Sequence, residues 1–231
     1  MIAKGVVGAS ALFLSFAFAP PSAAQFDVGG SVGAYRQWLR AAARKDTHYY
    51  AKFEDYGSPG LSAAIFYRDA SRSHVNLSLE LLYVRRSFRV HQGYSGLAGS
   101  NSESLQADLD LLYLNVLPEV RMDDKGLAVV RFGPMVGCRL GGRASGTTYE
   151  QYAGNIQTTS FQNARPTMLK GDLRFLFGIG LRKIGSKSFG VSFDTYYNAA
   201  LGSLLKGEPG SRGNDLGITI GFFRRVQCKK H

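Results

Sequence analysis

Residues 75–84 read VNLSLELLYV, and apolar side chains recur in this stretch at every second position. A hydrophobic period of two predicts a β-strand with one apolar face, whereas the apolar face of a helix repeats every three to four residues. Residues 189–199 read FGVSFDTYYNA and show the same alternation, with Ser192 and Asp194 on the polar parity. Downstream of residue 26 the chain shows almost no helical periodicity, so the sequence predicts an all-β protein.

The alternating pattern occurs in eight segments, which predict eight strands. These segments cover residues 27–38, 61–68, 75–84, 105–121, 130–140, 172–182, 189–199 and 215–223. In the fourth segment, Asp108 and Asp110 lie on the parity opposite to that of Asn115 and Glu119. A β-bulge between about Leu111 and Asn115 would bring these polar side chains to one face, and we expect one there.

The connections between the segments alternate in length without exception. The long ones are residues 39–60, 89–104, 143–170 and 202–213, and the short ones are residues 69–73, 123–126 and 185–187. An antiparallel meander then has all long loops at one end and all tight turns at the other, which is the layout of an outer-membrane barrel. We therefore predict an eight-stranded antiparallel up-and-down transmembrane β-barrel with long extracellular loops.

The two faces of the predicted strands differ in chemistry. One face carries Leu, Phe, Val and Ile, and the other carries Gly, Ser, Asn and charged residues. A transmembrane barrel directs the apolar face outward to lipid, whereas a soluble barrel of the lipocalin type directs it inward around an apolar ligand. The sorted loops favour the membrane, and a soluble carrier of an apolar ligand remains an alternative.

The N-terminus predicts export. A positive start through Lys4 precedes an apolar stretch over residues 5–19, and the small-residue run Ser22-Ala23-Ala24 follows two prolines. This is the pattern of a cleaved secretory signal peptide. We expect a signal peptide over residues 1–24, a barrel over 25–226 and a short basic tail over 227–231, in the bacterial outer membrane.

The charge balance suggests partners and excludes others. The 231 residues include 28 Lys and Arg against 17 Asp and Glu, which gives a net charge of +11. Because the chain is expected to be exported, nucleic acid is not an expected partner, and the positive charge points to anionic lipid. Two cysteines exclude a disulfide scaffold and a four-thiolate zinc site.

Motifs of catalytic chemistry are missing from the sequence. It contains no Gly-Lys-Ser/Thr phosphate loop, no His-Glu-x-x-His and no Cys-x-x-Cys. We therefore expect no cofactor, no metal and no enzymatic activity. A lipid-modifying activity that uses His91 and Ser95 in the second long connection is an alternative, and a small pore is another.

Four segments resemble a known family. Residues 113–121 (YLNVLPEVR) are similar to an aromatic-Leu-polar-apolar-Pro strand, and residues 129–140 (VVRFGPMVGCRL) to an apolar-Gly-Pro strand. Residues 172–180 (DLRFLFGIG) resemble an Asp-apolar-Gly-apolar-Gly strand, and residues 217–223 a closing strand. In this order the four resemble the PorT-like outer-membrane β-barrel family of Bacteroidetes. The resemblance implies an outer-membrane barrel and implies little about activity.

The polar parity of the predicted strands carries charges of both signs. The acids are Glu80, Asp108, Asp110, Glu119, Asp172 and Asp194, and the bases are Arg121, Arg131, Arg139, Arg174 and Arg182. Isolated charges in a narrow lumen would be costly, so this near balance predicts paired side chains that fill the barrel.

A second set of basic residues lies at or beyond the predicted long-loop end. It comprises Arg40, Arg44, Lys45, Lys52, Arg85, Arg86 and Arg89. Such a rim suits the phosphates of lipopolysaccharide, although an ordinary solvated loop would have the same composition. The expected partners are outer-membrane lipid, lipopolysaccharide and an unidentified extracellular or periplasmic protein, and the expected state is a monomer.

Overall fold

The computed structural model describes ten stretches of the chain. They are residues 25–40, 49–54, 60–70, 74–96, 99–123, 125–152, 155–164, 171–185, 188–202 and 212–227. The expected signal peptide and residues 228–231 of the expected tail lie outside the described residues. Nowhere in these stretches is there a helix with the length and hydropathy needed to cross a bilayer.

The described residues form ten antiparallel strands. Their bounds are β1 (Gln25–Arg40), β2 (Tyr49–Glu54), β3 (Gly60–Asp69), β4 (Val75–Gly96), β5 (Gly99–Arg121), β6 (Ala128–Tyr152), β7 (Asn155–Ala164), β8 (Gly171–Ile184), β9 (Phe189–Ala200) and β10 (Arg212–Gln227). Eight of them close into a ring in the order β1-β3-β4-β5-β6-β8-β9-β10, and β10 pairs with β1 to complete it. The predicted eight-stranded antiparallel barrel is therefore confirmed.

The two ends of the barrel differ. The end at residues 70–74, 122–127 and 185–188, where the short connections and both termini of the barrel lie, is called the turn side here, and the opposite end the loop side. At the loop side, pairing of β3 with β4 ends at Leu61 and Arg85, and pairing of β6 with β8 ends at Cys138 and Gly171.

The apolar face of the barrel points outward. In β9, Phe193 and Tyr197 are each 41% exposed, whereas Asp194 and Asn198 are buried in the lumen. Every strand of the ring continues this exposed apolar belt, with residues such as Val32, Leu61, Ile65, Leu81, Leu114, Val136, Phe177, Ile218 and Ile220. This is the inside-out arrangement of a transmembrane barrel. The soluble carrier alternative needs an apolar lumen, so the structure contradicts it.

Aromatic rings fill much of the part of the lumen that charged side chains leave free. Five of them lie over a glycine that is directly opposite on the neighbouring strand, where an added Cβ would overlap the ring. The pairs are Tyr35 with Gly60, Phe66 with Gly29, Tyr113 with Gly137, Tyr196 with Gly217 and Phe223 with Gly190. Small residues thus alternate with large ones, as the interior of a small barrel requires.

Three strands continue past the ring at the loop side. Beyond the end of β3, β4 and β5 form eleven further residue pairs from Arg86↔Leu109 to Gly96↔Gly99, and β6 follows them to Tyr152. Among the first of these pairs, Arg86 and Phe88 are still buried at the loop-side end of the lumen. With β2 on the edge of β4 and β7 on the edge of β6, they form a five-stranded sheet, called the projecting sheet here. Eleven residues of strand extend for about 35 Å.

The projecting sheet corrects the expectation of long loops. Much of the predicted connections 39–60, 89–104 and 143–170 is strand in the structure. The reason is that Thr and Tyr favour strands, while these stretches are polar on both faces and so show no hydrophobic period. The predicted connection 202–213 ends two residues into β10, and residues 203–211 lie outside the described residues.

The expected bulge in the fourth predicted strand is also corrected. In β5, Leu109, Leu111, Tyr113 and Asn115 are all buried, so this strand keeps its phase. The register shift occurs beside Asp110 and Leu111, but the extra residue is on the β6 side, at Leu140. The phase change inferred from Asp108 and Asp110 was wrong because these acids point outward beyond the apolar belt.

Candidate functional site

Charged side chains fill the turn-side half of the lumen. This turn-side cluster consists of Arg68, Glu80, Glu119, Arg131, Arg182 and Asp194, all of them buried. Glu119 Oε1 accepts from Arg68 Nε at 3.0 Å and from Arg182 Nη2 at 3.2 Å. Arg182 Nη1 also donates to Asp194 Oδ1 at 2.6 Å. Four strands are thereby joined inside the barrel.

Arg131 extends the turn-side cluster toward the middle of the barrel. Its Nε lies 3.6 Å from Asp194 Oδ1, and its Nη1 donates to Glu80 Oε2 at 3.2 Å. Glu80 Oε1 also accepts from Asn115 Nδ2 at 3.3 Å. Each acid of this cluster therefore contacts a guanidinium, which offsets the cost of burying the carboxylate.

A second group, the loop-side cluster, occupies the other half of the lumen. It consists of Arg86, Asp172, Arg174 and Asp215. Asp215 Oδ2 lies 2.5 Å from Arg86 Nη2 and 2.9 Å from Arg174 Nη1. Asp172 Oδ2 accepts from Arg174 Nε at 2.7 Å and from the Tyr113 hydroxyl at 2.5 Å.

The two clusters together are balanced in charge. Five arginines (Arg68, Arg86, Arg131, Arg174, Arg182) face five acids (Glu80, Glu119, Asp172, Asp194, Asp215). Most of these ion pairs join strands that are not neighbours in the ring, such as Arg131 on β6 with Glu80 on β4. The side chains therefore cross the lumen and do not run along its wall.

The structure brings together part of the predicted lumen set. Glu80, Glu119, Arg131, Asp172, Arg174, Arg182 and Asp194 lie in the two clusters. Arg121 and Arg139 are half-buried on the lumen-facing side of their strands, at opposite ends of the barrel. Arg121 packs beside Gly126 at the turn side, and Arg139 lies opposite Leu111 at the loop side.

Asp108 and Asp110 do not lie in the lumen, and that expectation is corrected. Asp110 Oδ1 accepts from the outward-facing Tyr83 hydroxyl at 2.6 Å. Asp108 Oδ1 accepts from Ser87 Oγ at 2.5 Å, also on the outer surface. Both acids lie at or beyond the loop-side edge of the apolar belt, where water is available, so an outward carboxylate costs little there.

Arg86 was expected in the basic rim and instead lies in the lumen. Its side chain is 1% exposed and its guanidinium lies between the rings of Tyr35 and Tyr113, at 5.9 and 5.7 Å from their centroids. The signal was available, because Arg86 continues the parity of Glu80 in the same strand. Arg68 and Asp215 also lie on the lumen-facing parity of their strands. Each is at the end of a predicted strand and was not included among the predicted lumen charges.

The other predicted rim residues are placed as follows. Arg44 and Lys45 lie outside the described residues. In the strand register, the backbone of Arg40 lies opposite that of Arg212 at the end of β1, and the backbone of Lys52 on β2 lies opposite that of His91. Arg85 is exposed on the outer surface opposite Asp110.

Arg89 and Arg143 continue the outer surface beyond Arg85. Arg89 is half-buried opposite Gln106. Arg143, which was not among the predicted rim residues, is exposed opposite Asp108. Three arginines therefore lie on the outer face of β4 and β6 near the point where the apolar belt ends.

The two residues of the lipid-modifying alternative both lie on β4. The backbone positions of His91 and Ser95 are four residues apart, about 13 Å along the strand. Within the described ranges, no group of three or more His, Cys, Asp and Glu side chains is arranged to hold a metal ion.

The fold and the lumen define a transmembrane β-barrel whose interior is filled by paired charges and aromatic rings. No family model matches the chain, and no curated protein matches it either. The resemblance to the PorT-like family therefore stays a prediction.

Several solved structures are similar to this chain at low identity. Ail, the attachment invasion locus protein of Yersinia pestis, solved in complex with the heparin analogue sucrose octasulfate, is 10% identical with a TM-score of 0.42, over 87% of this chain and 99% of that chain. Neisserial surface protein A is 11% identical with a TM-score of 0.34, over 85% and 95%. The outer membrane protein OprG from Pseudomonas aeruginosa is 11% identical with a TM-score of 0.34, over 89% and 97%. The barrel assignment rests on the strand pairing of this chain itself.

Proposed function

We propose that this chain is an outer-membrane protein whose sealed barrel anchors the projecting sheet at the cell surface, where the sheet makes the functional contacts. The observation that carries this proposal is the continuation of β4, β5 and β6 for eleven residue pairs beyond the end of β3. A barrel needs no such extension to span a membrane, because about 9–11 residues per strand suffice.

The filled lumen supports an anchor and not a channel. Eight strands enclose a space just wide enough for side chains, and here the two clusters and five aromatic rings occupy it. Transport through the lumen would require several buried ion pairs to break at once. A small pore would show itself as conductance in a planar bilayer.

The composition of the projecting sheet supports contact with polar partners. Its edge strand β7 reads NIQTTSFQNA, and seven of its side chains from Asn155 to Gln162 are exposed. The outer faces of β5 and β6 add hydroxyl groups such as Ser102, Ser104 and Thr147. Hydroxyl and amide side chains form hydrogen bonds with sugars and peptides alike, so this surface suits polar partners of either kind.

We also propose that the basic residues at the loop-side edge contact lipopolysaccharide. Arg85, Arg89 and Arg143 lie on the lipid-facing side of β4 and β6 near the end of the apolar belt. With the longer connections outside, as in other barrels of this type, this level coincides with the phosphates of the outer leaflet. Guanidinium groups bind phosphate by charge-assisted hydrogen bonds.

Cell fractionation tests the location and the anchor together. The full chain with its N-terminal segment is expected in the outer-membrane fraction and to migrate faster in gels when unboiled, because the closed barrel resists detergent. Protease added to intact cells is expected to cut the projecting sheet and to leave a protected barrel fragment. Recovery in the soluble fraction, or a protected projecting sheet, would contradict the proposal.

Lipopolysaccharide retention tests the basic edge separately. Glutamine variants of Arg85, Arg89 and Arg143, and their combination, are expected to co-purify with less lipopolysaccharide than the wild type. Lys125→Gln removes an exposed charge at the turn side and serves as the control. Equal retention by the combined variant and the control would show that these arginines do not bind it.

A further inference from the structure

An apolar groove lies on the outer surface of the barrel at the turn side, away from the projecting sheet. It has a volume of about 390 Å³ and lies where β9, β10 and β1 meet. Val28, Phe189, Val191 and Phe222 line it, and all four are exposed on the lipid-facing side. Its volume falls in the range of about 300–1,000 Å³ that is common for sites of small ligands.

Two cations flank this groove. Arg224 lines it, and its guanidinium carbon lies 5.9 Å from the centre of the Phe189 ring. Lys183 is exposed on β8, directly across from Val191. Both lie at the turn-side edge of the apolar belt, which is the level of the headgroups in one leaflet.

The strands around the groove carry their described acids on the lumen side. Among the described residues of β1, β8, β9 and β10, the acids Asp27, Asp172, Asp194 and Asp215 lie on the lumen side and are paired there. The loop-side edge is different, because Asp108 and Asp110 accompany its arginines on the outer face. The groove is therefore an apolar trough that ends between two cations, and the described acids of the four strands around it face the lumen.

We infer that this groove binds a phospholipid of the turn-side leaflet, with an acyl chain along Phe222 and Val191 and the phosphate between Arg224 and Lys183. The apolar walls match the chain, and two cations near the same edge of the apolar belt match the anionic phosphodiester of a lipid headgroup. The inference rests on the proposed membrane location. Under that proposal, the turn-side leaflet is the periplasmic one.

Native mass spectrometry of the purified full barrel in detergent tests the site. With phosphatidylglycerol added, the wild type is expected to retain one lipid, and Arg224→Gln/Lys183→Gln is expected to retain at least fivefold less. Arg36→Gln is the control, since it removes one exposed cation from the loop-side end of β1, away from the groove, and it should retain lipid as the wild type does. Diacylglycerol, which lacks the phosphate, is expected to bind much more weakly than phosphatidylglycerol.

A second variant tests the contribution of the apolar groove independently of the two cations. Val191→Trp fills the trough and keeps both cations, and it is also expected to lose the bound lipid. Faster migration when unboiled is recorded for every variant, so a failure of membrane insertion is distinguished from a failure of lipid binding. Equal retention by the wild type, the double variant and Val191→Trp, or equal binding of diacylglycerol, would overturn the inference while leaving the proposed function intact.

Discussion

The guanidinium of Arg86 and the carboxylate of Asp215 form an ion pair across the lumen, with Nη2 2.5 Å from Oδ2. These residues belong to β4 and β10, which are separated in the ring by β3 and β1. The pair therefore ties opposite walls of the barrel together. Asp215 also binds Arg174 on β8, so this single carboxylate joins three strands.

The first prediction concerns this carboxylate. Asp215→Asn leaves Arg86 and Arg174 in the lumen without their common partner, and we expect the free energy of unfolding to fall by about 3–5 kcal/mol. Urea unfolding of the barrel in liposomes measures the change. Arg85→Gln alters the exposed neighbour of Arg86 and should change stability by less than about 1 kcal/mol. Equal losses in both variants would show that the lumen pair has no special role.

The strand pattern of the barrel was predictable because lipid and a charged lumen impose opposite chemistry on alternate residues. The residues of β9, for example, show this alternation over their whole length. The projecting sheet was not predictable in the same way. Its strands have water on their outer face, so Ser102 and Thr147 leave no hydrophobic period to detect.

The sequence predicts that the lumen contains charged side chains, but it does not predict all of the residues that lie there. Parity within a strand assigns Glu80 and Arg131 correctly, but it fails where a strand leaves the membrane, as at Asp110. It also gives no information on which charges meet, since partners such as Arg68 and Glu119 are 51 residues apart and lie on strands that are not neighbours. Such pairs depend on the closure and tilt of the ring.

The second prediction concerns the glycines beneath the lumen rings. Gly217→Ala places a methyl group into the ring of Tyr196, and we expect a loss of about 1–3 kcal/mol in the free energy of unfolding. Gly202→Ala is the control, because nothing lies within 4 Å of its added Cβ. Combining Gly217→Ala with Tyr196→Leu should recover part of the loss. No recovery would argue against a steric origin.

The third prediction concerns the apolar belt. Ile218 is half exposed in the middle of β10, and Ile218→Arg should destabilise the barrel in liposomes by about 2–4 kcal/mol, because the charge would lie near the bilayer midplane. Thr158→Arg, on the projecting sheet, should have little effect. A similar small effect at both positions would mean that β10 does not face lipid.

The fourth prediction concerns orientation. In a background in which both native cysteines are replaced by serine, Thr158→Cys should react with a membrane-impermeant maleimide on intact cells. Lys125→Cys, in the short connection between β5 and β6, should react only after the outer membrane is opened. Reaction of Lys125→Cys alone on intact cells would reverse the topology.

Planar-bilayer recording of the purified wild-type barrel tests the sealed lumen most directly. The paired charges of the two clusters and the rings over glycine occupy the interior, so we expect no steady conductance steps at moderate voltage. Gel mobility of the same preparation, unboiled, shows that the recorded protein is a folded barrel. We predict that a preparation shown to be folded gives no conductance in the bilayer. Steady nanosiemens-scale openings would contradict the sealed lumen.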